Sequence, residues 1–353
     1  MNGYQRIDNT LHNMPTDVVP IMLHNFMPAA REAGLTMQQF RSNPNNIAKA
    51  FIDASMKYGL DGILTDVDTA LEASALGAET HFPDDIPAKV AAPISDDIEV
   101  VIESVDEKKL QTDERIQIYL EAIRLIRRQV GGELFIRGNA DQGAFSLATT
   151  VFGMTNMMMA LKSPQQEPMI LRLIERCYEV NLAFHRLVKA AGADITSFGD
   201  SMCSPDLISP TMYQKFAAPF QKRLAAELTN DGIETVCHIC GNTNRILQTL
   251  SECGFAGVEI DYKTDIAEVQ KTMNKKAVVF GILDPSGTFC FGNEQTVKEK
   301  TIQVLETFQG KGIVIGAGCA LPAETPAENI KTFVRTIREC PPGAAAEYRL
   351  APG

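Results

Sequence analysis

Residues 234–263 read ETVCHICGNTNRILQTLSECGFAGVEIDYK and contain one strand–helix–strand unit. We predict strands over Glu234 to Cys240 and Gly257 to Lys263, because both runs are short and apolar and each ends in a polar residue. The spacing of apolar residues over Thr243 to Cys253 predicts a helix between them. Antiparallel strands need no crossover helix, so this unit predicts a parallel sheet.

The same alternation continues on both sides of this unit. Six further strands are predicted at Val18 to His24, Gly62 to Asp68, Leu134 to Ala140, Asp194 to Asp200, Ala277 to Leu283 and Gly312 to Cys319. Seven further helices are predicted at Asn46 to Lys57, Thr112 to Gln129, Pro168 to Ala190, Pro210 to Thr229, Asp265 to Met273, Glu294 to Phe308 and Pro326 to Arg338. Eight strands alternating with eight helices favour an α/β fold, a closed (β/α)8 TIM barrel, formed by residues 1–353 as a single domain.

A doubly wound open sheet is the structural alternative. Two features disfavour it: no G-x-G-x-x-G follows the first predicted strand, and Pro20 lies inside that strand. The barrel has an N-terminal extension, and the stretch from Leu76 to Leu110 after the second strand is too long for an average βα loop. We expect that stretch to cover one rim of the barrel.

Composition narrows the functional classes. The chain has 353 residues, of which 45% are hydrophobic and 22% are charged, as in ordinary globular proteins. It has no apolar run of about 18 residues and no secretory leader, so we expect a cytoplasmic protein without a membrane partner. With 33 Lys+Arg against 44 Asp+Glu and no basic cluster, nucleic acid is a poor candidate partner. In a reducing compartment the eight cysteines are thiols, metal ligands or nucleophiles.

The carboxyl ends of the predicted strands carry most of the chemically useful side chains. In a barrel of this kind these ends line the active site, whereas strand interiors fill a packed core. The polar residues at these ends are His24, Asn25, Asp66, Asp68, Arg137, Asn139, Asp141, Asp200, His238, Cys240, Asp261, Asp284 and Cys319.

The sharpest pattern is His-x-Cys at the end of the fifth predicted strand. Side chains alternate along a strand, so His238 and Cys240 point to the same side while Cys237 points away. Cys319 ends the eighth predicted strand, where Gly316 and Gly318 allow a close approach of the backbone. Two cysteines and one histidine match a catalytic zinc site with one open position.

Plainer interpretations stay open for each of these residues. A single cysteine on a strand is usually a small buried hydrophobic residue, and a single histidine is usually a core or surface residue. Aspartates at strand–helix junctions, such as Asp66, Asp141 and Asp200, often cap the following helix. Position at the barrel mouth is what favours a functional role for the set.

The chain resembles the uroporphyrinogen decarboxylase superfamily, and within it the zinc-dependent, corrinoid-linked methyltransferases. The resemblance runs over roughly residues 18–337 and is most specific at residues 199–201 (GDS), 208–210 (ISP), 216–220 (FAAPF), 237–242 (CHICGN) and 316–322 (GAGCALP). It implies the same barrel fold. It also implies that His238, Cys240 and Cys319 bind Zn²⁺ and that cobalamin is carried by a separate corrinoid protein.

The sequence departs from the decarboxylases of this superfamily. Their cationic R-Q-A-G-R segment is replaced here by HNFMPAAR at residues 24–31, and the resemblance implies that they lack the His-x-Cys pair. Porphyrinogen decarboxylation is therefore the weaker alternative. On the methyltransferase hypothesis, Asp200 is the predicted catalytic residue, and His24, Asn25, Asp66 and Asp141 are predicted to bind substrate.

Two methyl-transfer reactions fit the resemblance. In one, zinc activates a methyl ether such as a methoxyaromatic for demethylation, and in the other it presents a thiol such as coenzyme M to methylcobalamin. We favour the ether, because among the strand ends only Arg137 could face a sulfonate, although Lys89 or Arg245 in loops could add charge. Methylamines or methanol as substrates, a non-catalytic zinc-sensing or corrinoid-binding adaptor, and a homodimer remain possible.

Overall fold

The structure, a computed structural model, describes residues 1–340. Its strands are Gly62–Thr65 (β1), Glu79–His81 (β2), Lys89–Ala92 (β3), Phe135–Gln142 (β4), Ile195–Gly199 (β5), Thr235–Ile239 (β6), Gly257–Ile260 (β7), Val278–Leu283 (β8) and Ile313–Ala317 (β9). Its α-helices are Gly3–Leu11 (α1), Phe26–Glu32 (α2), Met37–Arg41 (α3), Pro44–Tyr58 (α4), Leu71–Leu76 (α5), Ile98–Ser104 (α6), Lys109–Thr112 (α7), Glu114–Val130 (α8), Ala144–Phe152 (α9), Met154–Ala160 (α10), Glu167–Ala190 (α11), Pro210–Phe216 (α12), Ala218–Asn230 (α13), Leu247–Ser251 (α14), Ile266–Met273 (α15), Glu294–Phe308 (α16) and Ala327–Glu339 (α17). The predicted domain also includes residues 341–353, which lie outside the described residues.

Seven of these strands form one parallel sheet in the order β1-β4-β5-β6-β7-β8-β9. Strands that follow one another along the chain are neighbours in the sheet, apart from the β2–β3 hairpin, which forms a sheet of its own. Helices connect the parallel strands, as their pairing requires. The predicted TIM-barrel-like α/β fold is confirmed.

The first predicted strand, Val18 to His24, is wrong as a full strand. It is an extended segment that makes a single parallel bridge, between Ile21 and Ile315 of β9. On its other side the Asp61 backbone N–H donates to the Ile21 carbonyl at 3.0 Å, so the segment lies between β9 and β1 and joins the two edges of the sheet. Pro20 has no N–H for a ladder, and the Ile21 N–H donates to the Asp61 carboxylate at 2.7 Å instead.

Two predicted helices also differ in the structure. The predicted helix Pro210 to Thr229 is divided into α12 and α13 at Ala217, because Pro219 lacks the N–H that a continuous helix needs. The predicted helix Thr243 to Cys253 is reduced to the short α14. Neither change moves a candidate ligand away from the ends of the strands.

The inside of the barrel is a packed apolar core. It is filled by one cluster of buried side chains that includes residues from every strand of the main sheet except β7. Ile7 of α1 belongs to the same cluster, so this N-terminal helix covers the amino ends of the strands. The cluster comprises Ile7, Met22, Leu64, Phe135, Ile195, Val236, Val278, Phe280 and Val314. A site can therefore open only at the carboxyl ends, as in other barrels of this type.

The long stretch after β1 contains the β2–β3 hairpin and the helices α6 and α7. Pro87, Ala88 and Lys89 of this hairpin line the cavity at the carboxyl ends of the strands, so the predicted cover over one rim is present. Among residues 1–340, no helix combines the length and the apolar character needed to cross a bilayer.

Candidate metal centre and cavity

A cavity of about 350 Å³ lies at the carboxyl ends of the strands. Its walls come from the segment before α2, from the ends of β1, β4, β5, β6 and β7, from the residues after β9, and from the hairpin. The lining residues are His24, Phe26, Leu64, Asp66, Asp68, Thr69, Pro87, Ala88, Lys89, Arg137, Asn139, Asp141, Gln142, Phe198, Gly199, Ser201, His238, Cys240, Glu259, Cys319 and Ala320.

Three potential metal ligands converge on one wall of this cavity. The ligand atoms of His238, Cys240 and Cys319 all lie within 4.8 Å of one another. His238 Nε2 is 2.9 Å from Cys240 Sγ, which is 3.6 Å from Cys319 Sγ. Zinc bound to two thiolates at about 2.3 Å would hold their sulfur atoms roughly 3.8 Å apart, so the set fits a tetrahedral zinc ion with one position left over.

The backbone around these ligands accounts for their convergence. Cys319 lies two residues beyond β9, and Gly318 lets that turn pack closely: a Cβ on Gly318 would be 2.6 Å from the Ile260 carbonyl oxygen at the end of β7. A Cβ on Gly316 would be 2.0 Å from the Met22 carbonyl oxygen. The glycines thus allow close backbone packing beside the site, as the sequence suggested.

The His238 ring is held from behind. Its Nδ1 donates to the Glu259 carbonyl oxygen at 3.2 Å, which leaves Nε2 facing the two sulfur atoms. The Glu259 carboxylate forms a buried ion pair with Arg137 at 2.5 Å and lies 3.7 Å from the same Nδ1. A carbonyl and a carboxylate behind a ligating histidine fix its tautomer and its orientation.

The electrostatics of this cluster favour an anionic sulfur on Cys240. The Cys319 pKa is instead raised well above its usual value by its hydrogen bond with Cys240 and by burial. The Cys240 pKa is lowered well below its usual value, because a hydrogen bond from Cys319 and the charge of His238 outweigh its burial. Burial lowers the His238 pKa, but Cys240 and Glu259 outweigh that effect and raise it to about 9. Metal coordination requires thiolate, so the lowered pKa of Cys240 suits that residue to the role of a ligand.

The predicted substrate residues are brought together only in part. His24 Nε2 lies 2.7 Å from Asp66 Oδ2, and both residues line the cavity. Asp141 also lines it and is buried. Asn25 is buried, but it is not among the described residues that line the cavity; it precedes α2, and its carbonyl accepts from the Ala29 N–H at 2.9 Å.

Asp200, the predicted catalytic residue, lies behind the cavity and does not line it. One carboxylate oxygen accepts from the Ser146 N–H at 2.9 Å and from its hydroxyl at 2.7 Å, and the other accepts from Gln221 at 2.8 Å. Burial raises the Asp200 pKa, although these hydrogen bonds oppose the shift. Asp200 therefore contacts Ser146 and Gln221 behind the cavity, whereas the next residue, Ser201, lines it. The catalytic role of Asp200 stays a prediction.

Glu259 is a candidate functional residue that the sequence analysis does not identify. It lies inside the short strand β7, in the run Gly257-Val-Glu-Ile260, where a charged residue between apolar neighbours was the available signal. The strand-end pattern indicates Asp261 instead, which accepts from the Gly241 N–H at 2.8 Å and so supports the turn after Cys240. Burial opposes ionisation of Glu259, but Arg137 and His238 lower its pKa to about 2.

Known proteins resemble the chain over nearly its whole length. The family model for Uroporphyrinogen decarboxylase (URO-D) matches residues 3–340. Methylcobamide:CoM methyltransferase MtaA of Methanosarcina barkeri is 28% identical over 93% of this chain and 95% of the relative. Uroporphyrinogen decarboxylase of Trichodesmium erythraeum (strain IMS101) is 24% identical over 89% of this chain and 88% of the relative. A solved methyltransferase structure from Methanosarcina mazei shares the fold, with a TM-score of 0.87, 24% identity and coverage of 96% and 99%.

Proposed function

The chain belongs to the uroporphyrinogen decarboxylase (URO-D) family, and on that premise we propose that it is a zinc-dependent methyltransferase. It moves a methyl group between a small substrate and the cobalamin of a separate corrinoid protein. The observation that carries the proposal is the convergence of the ligand atoms of His238, Cys240 and Cys319 within 4.8 Å of one another on the cavity wall. The barrel below them is filled by an apolar core. Relatives named methylcobamide:CoM methyltransferases support the reaction class.

The chain's own residues prepare this reaction in three ways. His238, Cys240 and Cys319 would hold the zinc ion, and Glu259 keeps the imidazole turned toward it. When bound, zinc would supply a Lewis-acidic position for the heteroatom of the substrate. Phe26, Leu64 and Phe198 contribute apolar surface to the cavity, which would help to exclude water from the reacting atoms.

The small size of the cavity supports the proposal that a separate protein carries the corrinoid. A volume of about 350 Å³ is at the small end of the range for drug-sized ligands, roughly 300–1,000 Å³, and a corrinoid is larger than such ligands. Large apolar side chains are exposed on segments that follow the carboxyl ends of strands. These are Phe82, Ile86, Leu207, Tyr262 and Phe291. Exposed apolar side chains on these segments are suited to contact with another protein.

A thiol is the substrate that we propose. The relatives named for coenzyme M support it, and Lys89 adds a cation at the cavity mouth where the strand ends offered only Arg137. The presence of Lys89 weakens the case for a methyl ether, because that case depends on a shortage of cations near the cavity. The ether remains the second candidate, because four carboxylates, Asp66, Asp68, Asp141 and Glu259, line the same cavity and disfavour an anionic substrate.

The test follows the methylation state of cobalamin by its absorption spectrum. Zinc-loaded protein is mixed with methylcobalamin and a thiol, and separately with cob(I)alamin and a methoxyarene. We expect thiol-dependent loss of the methyl group from cobalamin. Reaction with the methoxyarene alone would transfer the proposal to the ether, and no change with either substrate would contradict it.

A matched pair of variants ties this activity to the metal. Cys240→Ser is expected to lose both zinc and methyl transfer, because a hydroxyl is a poor replacement for a thiolate ligand. Cys237→Ala is the control, since Cys237 lies on the same strand, is buried and belongs to the core cluster on the other face. Equal zinc content and equal activity in both variants would exclude the proposed centre.

A further inference from the structure

One carboxylate in the cavity differs from the others in its partners. Asp66 is paired with His24, Asp68 with Arg115, and Glu259 with Arg137. Asp141 accepts only from neutral donors, the Glu72 N–H at 2.9 Å and the Gln142 side-chain amide at 3.2 Å. Within residues 1–340 no cationic group pairs with it. A buried carboxylate without a counter-charge is the one that can accept a proton most readily.

The backbone at Asp141 is held in an unusual conformation. Its φ is +50°, in the left-handed region that residues other than glycine seldom adopt. The pairing between β4 and β5 shifts register between Asn139 and Gln142, so Asp141 lies at a bulge. Bulges redirect side chains and are frequent beside active sites. Here the bulge places a buried carboxylate on the cavity wall.

The same strand ends relate Asp141 to the metal ligands. Gln142 of β4 pairs with Gly199 of β5, and Gly199 pairs with His238 of β6. Adjacent strands are about 4.8 Å apart, so the backbones of Gln142 and His238 are separated by roughly 10 Å across the sheet. A substrate of a few heavy atoms that extends from the metal ligands can therefore come within reach of Asp141.

We propose that Asp141 carries the proton that the methyl-transfer reaction must exchange. The inference rests on the proposed function. With a thiol, the S–H bond breaks and an O–H bond forms on the Asp141 carboxylate. The sulfur then takes the methyl group of methylcobalamin, the electron pair of the cobalt–carbon bond stays on cobalt as cob(I)alamin, and the proton passes to solvent. With a methyl ether the direction reverses, and protonated Asp141 donates to the leaving oxygen as cob(I)alamin takes the methyl group.

The surroundings of Asp141 suit this role. Burial raises its pKa to about 7, helped by the charges of Asp68 and Asp66 on the segment after β1, whereas the Glu72 N–H and the Gln142 amide oppose the shift. Glu72 of α5 has its own pKa raised well above the usual value by burial and by Asp141, so a second negative charge beside Asp141 is disfavoured. The remaining titratable groups around this carboxylate cluster are Tyr119 of α8, Arg115 and Arg41 beside Asp68, Cys177 behind Glu72, and His24 on Asp66.

The test is the pH dependence of a single turnover in Asp141→Asn. Asparagine tolerates positive φ, so this variant suits the backbone. For wild-type protein with a thiol we expect the rate to rise with pH, with a midpoint of about 7, because only the ionised carboxylate accepts the proton. In the variant we expect this midpoint to vanish and the rate above it to fall by about 10² to 10⁴. Zinc per chain should be unchanged.

Glu72→Gln is the matched control, because the same carboxyl-to-amide change is made in a buried residue that does not line the cavity. It should retain the wild-type midpoint. A wild-type pH profile in Asp141→Asn, or the same loss in Glu72→Gln, would overturn the inference. Failure of the proposed function would instead appear as no methyl transfer in the wild type.

A measurement on wild-type protein covers the case in which Asp141→Asn does not fold. Infrared difference spectra of protein labelled with ¹³C-aspartate report protonated carboxyl groups directly. We expect a carboxyl band that disappears with a midpoint of about 7. If no aspartate band titrates in that range, the inference is overturned.

Discussion

Two buried aspartates at opposite ends of the barrel have opposite surroundings. Asp61, just before β1, accepts from Arg6 at 2.9 Å, from Arg338 at 2.7 Å and from the Ile21 N–H at 2.7 Å. Asp141, at the end of β4, accepts only from neutral donors among residues 1–340. Each side chain is almost fully buried, so burial alone does not distinguish them.

The difference lies in what each charge does for the chain. At the amino ends of the strands, the bottom of the barrel, two arginines and a backbone N–H fix Asp61 as an anion. Asp61 thereby joins α1, α17 and the extended segment of residues 18–24 that closes the sheet. At the mouth lie Asp141 and the proposed zinc ligands, whose ionisation or coordination would change in the proposed reaction. The bottom is built for stability and the mouth for chemistry, as in other barrels of this kind.

The largest expected effect is a loss of zinc affinity at the mouth of the barrel. Cys319→Ala removes one of three ligands, and we expect zinc affinity to fall more than about 100-fold, beyond the loss seen for groups that only support a ligand. The free energy of unfolding of the metal-free protein should change little, because the residue belongs to the site and not to the closing contacts. Competition with a chelator and chemical unfolding measure the two quantities.

Cys290→Ala is the control for this prediction, because Cys290 is a half-buried thiol in the segment after β8 that is not among the ligands. It should bind zinc as the wild type does. A zinc affinity for Cys319→Ala that matches that of Cys290→Ala would remove Cys319 from the site.

The second effect is a loss of stability at the amino ends of the strands, around Asp61. Asp61→Ala leaves two arginines without their shared carboxylate and the Ile21 N–H without its acceptor, so we expect the free energy of unfolding to fall by about 3 kcal/mol. Zinc content should stay at the wild-type level. Chemical unfolding and metal analysis report the two outcomes.

Asp17→Ala provides the comparison, since Asp17 is an exposed partner of the same Arg6. Exposed ion pairs contribute about 1 kcal/mol or less, so the loss should be small. Equal destabilisation by the two variants would mean that Asp61 has no special part in closing the barrel.

The smallest effect concerns the choice of substrate at the mouth. Lys89 is exposed and lines the cavity, so Lys89→Met should raise the KM for a sulfonated thiol by roughly fivefold, as expected for one exposed charge pair. The KM for an uncharged thiol should not change. Lys271→Met, at an exposed lysine on α15, is the control. An unchanged KM for both thiols would show that Lys89 does not contact the anionic group.

Most of the fold could be predicted from the sequence, because parallel strands and their crossover helices differ in apolar period. The segment around Pro20 is the exception. Pro20 has no N–H to donate, and the Ile21 N–H donates to the Asp61 carboxylate and not to a neighbouring strand. The helix predicted over Thr243 to Cys253 is also longer than the observed α14. The apolar pattern marks the buried face of a helix and not the residue at which the helix begins.

The candidate site could be predicted where position along a strand decides direction. The His238 and Cys240 pair followed from alternation, and Cys319 followed from its place at the end of the last strand. Its position at the end of a strand predicts that Asp200 faces the cavity, but Ser146 and Gln221 contact both of its carboxylate oxygens. Such partners are distant in sequence, and only the folded chain shows them.

The most direct test of the account is X-ray absorption at the zinc edge, combined with metal analysis of the purified chain. We predict about one zinc per chain with two sulfur ligands at about 2.3 Å, one imidazole nitrogen at about 2.0 Å and a fourth light ligand that a third sulfur replaces when thiol is added. A chain without zinc, or a zinc ion whose four protein ligands do not change with thiol, would contradict the account.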